Sequence, residues 1–321
     1  MGEEAPLVSI PEAPVPPGGA AEWFRGADGA TLRAASFFPA GKARGTVVVS
    51  GGRTEVIEKY FEVVQELLDR GFAVLVHDWR GQGLSHRSLK DRLRGHAVGF
   101  DAFVSDYRAL LDHFEERMPK PWIALGHSMG GCLTLLALAH GQWTRFSAAI
   151  LSAPMLGLQT GRRSKRTVRA LTWMMSRLRG SDYILGDPGL PMGAPFEENI
   201  VTHDERRYAR NCAQLKAHPD LALGAGTWAW LQFAWSAIAW LKTSPRVAEV
   251  DIPVWALGAA EEKIIDNADQ ILVMARLPQG RWLEVPGAYH EILQETDAVR
   301  AVFWREFDAL VAEHAPSTPS S

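Results

Sequence analysis

Cysteine is nearly missing from this sequence of 321 residues, which holds only Cys132 and Cys212. Two cysteines cannot build a disulfide framework and these lack zinc-ligand spacing, so both are expected to be small buried apolar side chains. Long hydrophobic runs are missing too. No stretch reaches the roughly eighteen apolar residues of a membrane span, although Leu221 to Leu241 comes nearest, interrupted by Gln232 and Ser236. The net charge of −3, with both signs mixed, gives no general pull toward nucleic acid. The opening Met1-Gly2-Glu3-Glu4-Ala5-Pro6 is acidic rather than a basic secretory leader, and Pro6 stands where a myristoylation signal carries Ser or Thr. A cytoplasmic location is therefore expected. No internal repeat is present.

What is there is an alternation of short apolar runs and helical periodicities. Residues 1–19, rich in Pro, Glu and Gly, and the small-polar residues 315–321 are expected to be disordered tails. Between them Thr46 to Ser50 reads as a buried strand, Val56 to Arg70 as a helix, Phe72 to His77 as a strand and Asp101 to Met118 as a helix. Trp122 to Gly126 is the next strand, Gly130 to Ala139 a helix and Ala148 to Leu151 a strand. This rhythm predicts a mostly parallel sheet covered on both faces. It breaks at Ala153-Pro154 and resumes near Asp251, with strands at Ile252 to Leu257 and Arg281 to Val285 and helices at Asn267 to Ala275 and Thr296 to Glu313. Residues 20–154 and 249–314 are thus expected to form one α/β core, and residues 155–248, without strand signals of similar strength, a helical cap over the C-terminal edge of the sheet.

The chemistry concentrates at Gly126-His127-Ser128-Met129-Gly130, a G-x-S-x-G pattern between a strand and a helix. Such a turn projects the serine hydroxyl from the sheet edge in a strained conformation, and the glycines let the flanking segments pass closely. The main-chain N–H of Met129 opens the helix and is placed to favour a developing oxyanion. A serine needs a base and a carboxylate behind it, in the chain order Ser, acid, His, each on a loop after a strand. His290 is the histidine so placed. The acid is open on this reading among Glu261, Glu262 and Asp266, all on the loop after the strand ending at Leu257, and Asp266 doubles as a natural helix cap. A second oxyanion donor is expected from Ser50-Gly51-Gly52-Arg53-Thr54-Glu55.

These residues resemble the serine hydrolases of the α/β-hydrolase fold, within the branch holding monoacylglycerol lipases and bacterial lysophospholipases. Four blocks spread over most of the chain carry the likeness: Gly51 to Glu55 with Lys59-Tyr60, Asp78-Trp79-Arg80-Gly81-Gln82-Gly83-Leu84-Ser85, Gly126 to Gly131, and Gly287 to Glu291. The resemblance implies an α/β-hydrolase fold with the cap inserted after the sixth strand, Ser128 as nucleophile and His290 as base. It implies Arg53 as the second oxyanion donor, with Gly52 as fallback. The family's acid block matches Glu262-Lys263-Ile264-Ile265-Asp266, which makes Glu262 the acid, with a Glu where Asp is commoner, and Asp266 the alternative. No metal or organic cofactor is implied. The expected activity is hydrolysis of lipid esters, lysophospholipid or monoacylglycerol. A small-ester esterase or an acyltransferase on the same scaffold is the nearest rival, and a silent hydrolase-like binding protein the remote one.

Two cap segments bear on the substrate. Residues 162–179 hold seven basic residues and no acid. As an amphipathic helix they fit peripheral contact with an anionic membrane surface, the bland alternative being a solvated helix lying on the core. Gly226 to Leu241 is apolar around most of its circumference, and Trp228, Trp230, Phe233 and Trp235 there are expected to line an acyl-chain site or an interfacial lid, unless they simply pack cap against core.

Overall fold

Residues 2–314 are described by the computed structural model, and among them nine strands form a single sheet. In chain order the elements are β1 (Glu3–Ala5), β2 (Ala20–Arg25), β3 (Thr31–Phe37), β4 (Thr46–Ser50), α1 (Phe61–Asp69), β5 (Ala73–His77), α2 (Asp101–Phe114), β6 (Trp122–His127), α3 (Met129–Ala139) and β7 (Ala148–Ser152). There follow α4 (Lys165–Arg179), α5 (Glu205–Ala217), α6 (Trp228–Thr243), β8 (Val254–Ala259), α7 (Asn267–Met274), β9 (Gly280–Val285) and α8 (Asp297–His314). Across the sheet the order is β1-β2-β3-β5-β4-β6-β7-β8-β9. The pairings from β1 through β3 to β5 are antiparallel, and the rest are parallel.

Every residue of β4, β5, β6, β7 and β8 is buried, as strands covered by helices on both faces must be. The chain leaves β4 toward β5 on one side and returns to β6 on the other, which opens a crevice at the C-terminal ends of β4 and β6, where sheets of this kind bind ligands. The block Asp78 to Ser85 braces the loop after β5. The Asp78 carboxylate accepts the N–H of Ile57 at 3.0 Å and of Leu84 at 2.9 Å, and it pairs with the buried Arg33. Gly83, at φ +50°, is needed because a side chain there would run into that carboxylate.

Three expectations change. Residues 1–19 are not a disordered tail: Glu3, Glu4 and Ala5 pair with Trp23, Glu22 and Ala21, Ala5 and Ala13 are buried, and the N–H of Val8 donates to Glu58 at 3.2 Å. A composition poor in apolar side chains says little about a segment held by main-chain hydrogen bonds to a free sheet edge. The expected tail 315–321 lies outside the described residues. The added strand also means that the insertion follows the seventh strand rather than the sixth.

The third change concerns α6, which the division at residue 248 assigns to the cap. Its residues Phe233, Ala234, Ala237, Ile238 and Leu241 belong to the main core. Phe233 stacks on Phe103 of α2 at 5.1 Å, and Trp240 stacks on His140, which follows α3, at 4.5 Å. This helix brings the chain back from β7 to the parallel neighbour β8, a connection that has to cross the sheet. Its other side receives α4. Contact on both sides explains why it is apolar nearly all round.

Candidate active site

Ser128 sits where β6 turns into α3, at φ 50° and ψ −117°, outside the regions ordinary residues favour. The turn holds because its neighbours have no side chains. A Cβ on Gly126 would lie 2.7 Å from the Cα of Gly131, and one on Gly130 would collide with the carbonyl oxygens of Ser50 and Gly51. The Ser128 hydroxyl donates to Nε2 of His290 at 2.8 Å, and Nδ1–H of His290 donates to Oε2 of Glu262 at 2.8 Å. The three residues come from the C-terminal ends of β6, β9 and β8. Ser128 is only 8 % exposed and His290 5 %, so the chain of hydrogen bonds is largely shielded from water.

Glu262 is fixed through its second oxygen, which accepts the N–H groups of Lys263, Ile264 and Ile265 at 3.0, 2.8 and 3.3 Å. Burial alone would raise its carboxyl; the hydrogen bond and charge of His290 and the N–H groups of Ile264 and Ile265 outweigh that and hold it below the ordinary value. Asp266 turns elsewhere. It caps α7 by accepting from Ala268 and Asp269, and it pairs with Lys165 of α4 at 2.5 Å. The carboxylate of Glu261 is half exposed and, among the described residues, pairs only with His203, at 3.7 Å.

Met129 is the first residue of α3, so its N–H has no acceptor within the helix. On the facing loop the N–H of Gly52 is committed to the Glu55 carboxylate, whereas the N–H of Arg53 has no acceptor among the described residues. The loop is clamped from outside: Gln82 accepts the N–H of Thr54 at 3.0 Å and donates to the carbonyl of Gly52 at 2.9 Å, holding Thr54 at φ 65°. It lies tight against the turn, since a Cβ on Gly52 would fall 3.1 Å from that of Ser128.

Behind these residues is a buried charge cluster to which the sequence reading gave no role. Glu55 accepts from Nδ1 of His127 at 2.9 Å, from the Tyr60 hydroxyl at 2.5 Å and from Lys59 at 2.8 Å, and Lys59 also pairs with Glu291 at 2.6 Å. Nε2 of His127 faces the main-chain carbonyl of His290 at 3.2 Å. A carboxylate and a carbonyl only accept, so each ring nitrogen of His127 faces an acceptor, an arrangement that favours the imidazolium. Burial opposes that charge, yet Glu55 raises His127 above its ordinary value, and His127 and Lys59 hold the buried Glu55 well below its own. The signal in the sequence was the nearness of Glu55, Lys59 and Tyr60 to the glycine loop, but their convergence on His127 is tertiary.

The four aromatic residues expected at a substrate site divide. Phe233 is core packing against Phe103, and Trp235, 6 % exposed, faces the groove between α4 and α6. Trp230 is partly exposed in the first turn of α6, with the Arg53 guanidinium 5.1 Å from its ring, and Trp228, the first residue of that helix, is partly exposed too.

Residues 41–297 match the family model described as Hydrolase_4, serine aminopeptidase, S33. The chain belongs to this α/β-hydrolase family. Within it, the chain is homologous to the branch of monoglyceride lipases and lysophospholipases. It is 35 % identical to lysophospholipase L2 of Escherichia coli K12 over 267 residues, 80 % of this chain and 77 % of that one. It is 25 % identical to the monoglyceride lipase of Rattus norvegicus, over 89 % and 88 % of the two chains. Among solved structures it resembles a soluble variant of monoglyceride lipase from Saccharomyces cerevisiae, with a TM-score of 0.74 at 20 % identity, over 97 % of this chain and 99 % of that one. A family member with this architecture is a serine hydrolase of the lipase and esterase kind.

Proposed function

We propose that the protein hydrolyses the carboxylic ester of a lysophospholipid or a monoacylglycerol through an acyl-enzyme on Ser128. The observation that carries this reading is the continuous hydrogen-bond chain from Ser128 through His290 to Glu262. In the mechanism His290 takes the hydroxyl proton as Oγ attacks the ester carbonyl, and Glu262 orients the ring and stabilises the imidazolium that forms. The N–H groups of Met129 and Arg53 receive the oxyanion, Arg53 being favoured over Gly52 because the latter's N–H is already engaged. His290 then hands the proton to the departing alcohol, and water repeats the sequence on the acyl group.

A lipid substrate is supported by the relatives named above and by α4. That helix exposes Leu171, Trp173, Met174 and Leu178 beside Arg166, Arg169 and Arg177, which have no ion pair among the described residues. In this reading α4 rests on an anionic membrane surface from the aqueous side.

A fluorophosphonate probe should label the protein and fail on Ser128→Ala; equal labelling would remove Ser128 from the mechanism. With the purified protein, long-chain monoacylglycerols or lysophospholipids should be cut with higher kcat/KM than short p-nitrophenyl esters, and the reverse order would end the lipid reading.

A further inference from the structure

Cations at the seam between core and cap are generally matched. Lys59 pairs with Glu55 and Glu291, and Arg207 with Glu62, Asp204 and Asp297. Arg87, which has no carboxylate, donates to the carbonyls of Gly81, Arg92, Gly83 and Ala222. Arg53 has fewer partners than any of these, although Arg87 likewise has an Nε without an acceptor and is pushed down to about 10, chiefly by burial. Among the described residues Arg53 has no ion-pair partner, and its one hydrogen-bond acceptor is the carbonyl of Gly224. Its Nε is shut off from solvent without an acceptor, and burial pushes the guanidinium down to about 10. A guanidinium has five N–H donors, and a charge taken from water is costly unless matched.

The surroundings nevertheless hold this side chain in place. The Trp230 ring flanks it at 5.1 Å, the cap carbonyl of Gly224 takes one N–H, and a Cβ on Gly95 would come within 2.6 Å of Nη2, so the glycine there leaves it room. Arg53 follows Gly52, whose backbone presses against Ser128, so the guanidinium is tethered by one side chain to the loop that faces the attacking hydroxyl. In a lysophospholipid the phosphate is separated from the acyl carbonyl by the ester oxygen, the glycerol carbons and one phosphoester oxygen, a span of that same scale. A monoacylglycerol ends in hydroxyls there and brings no anion.

We propose that the Arg53 guanidinium is the head-group site, holding the phosphate of a lysophospholipid whose acyl ester is presented to Ser128. The planar fork suits two phosphate oxygens at once. This inference rests on the reading of Ser128 as the attacking residue, and it selects lysophospholipid over monoacylglycerol as the preferred substrate.

The test is binding to the Ser128→Ala protein, which removes turnover, using lysophosphatidylglycerol, the monoacylglycerol of the same acyl chain, and glycerol 3-phosphate. Lysophosphatidylglycerol should bind more tightly than the monoacylglycerol, and adding Arg53→Gln should lower the ratio of the two affinities about tenfold or more. Arg53→Lys, which keeps the charge without the fork, should give an intermediate ratio and carries the test if the glutamine variant does not fold. An equal loss for both lipids, or no preference at the start, overturns the proposal. Glycerol 3-phosphate binding as tightly as the lysolipid also overturns it, since the ligand is then a free phosphate ester. Fluorophosphonate labelling of the wild type is independent of these arms, so its failure would strike the hydrolase reading and not the anion site.

Discussion

On the loop after β8 two carboxylates compete for one histidine, and the physical difference between them is what each side chain already holds. Asp266 spends its oxygens on the N-terminus of α7 and on Lys165, while Glu262, longer by a methylene, folds back over its own loop and still reaches His290. The proposed mechanism therefore expects Glu262→Gln to cut kcat on the order of 10³–10⁴-fold while leaving the melting temperature close to wild type. Asp266→Ala should do the opposite, lowering stability by about 1 kcal/mol in denaturant titration with little change in turnover. A loss of turnover in Asp266→Ala to match Glu262→Gln would reassign the acid. At this scale much was legible: Ser128 and His290 stand in strand-end patterns that sequence shows directly. Glu262 needed a spacing frame, and the imidazolium character of His127 could not be read at all, because it depends on two acceptors from distant segments meeting one ring.

Between elements, Glu55 and His127 tie together the glycine loop after β4, the turn after β6 and the backbone of the loop after β9. The folded value of His127 is raised above its ordinary 6.5, so its contribution to stability is full below 6.5 and is lost as pH rises through the folded value. Replacing it removes one charged hydrogen bond from the buried Glu55, which keeps Lys59, Tyr60 and the Gly52 N–H, a loss of about 2 kcal/mol. Thermal melts of wild type and His127→Gln should accordingly differ most below 6.5 and converge as the pH is raised; a gap that widens with pH would refute the ion pair. The elements themselves were visible in the sequence wherever apolar periodicity was strong, within a residue or two at most ends. The exceptions include β1, β2 and β3, none of which the sequence reading named, α2, which ends at Phe114 and not Met118, and the start of α1. β1 is held by main-chain pairing that side-chain composition does not report, and the first turn before α1, Ile57–Tyr60, is a 3-10 turn inside what periodicity reads as one helix.

For the molecule as a whole, α4 carries both arginines and the exposed Leu171, Trp173, Met174 and Leu178 on its outer surface. Among the described residues no helix is long and apolar enough to cross a membrane; in the proposed reading α4 meets an anionic bilayer at its surface. Near an anionic leaflet each arginine contributes about 1 kcal/mol. Arg166, Arg169 and Arg177 changed together to Gln should then weaken binding to phosphatidylglycerol vesicles by about a hundredfold in sedimentation, with little effect on neutral phosphatidylcholine vesicles. Unchanged binding to the anionic vesicles would remove α4 from the interface. The alternation of strands and helices made the sheet legible from sequence, but not the limits of the insertion, since an all-round apolar helix is equally consistent with a lid and with a core layer.

That ambiguity has a mechanical side. Because α6 returns the chain to β8 and is wedged between α2, α3 and α4, it is the floor on which the insertion stands and not part of a roof that lifts. Swinging it away would unzip the main core. Any opening above Ser128 must therefore hinge ahead of Thr227, and the travelling part is a good deal smaller than the inserted segment.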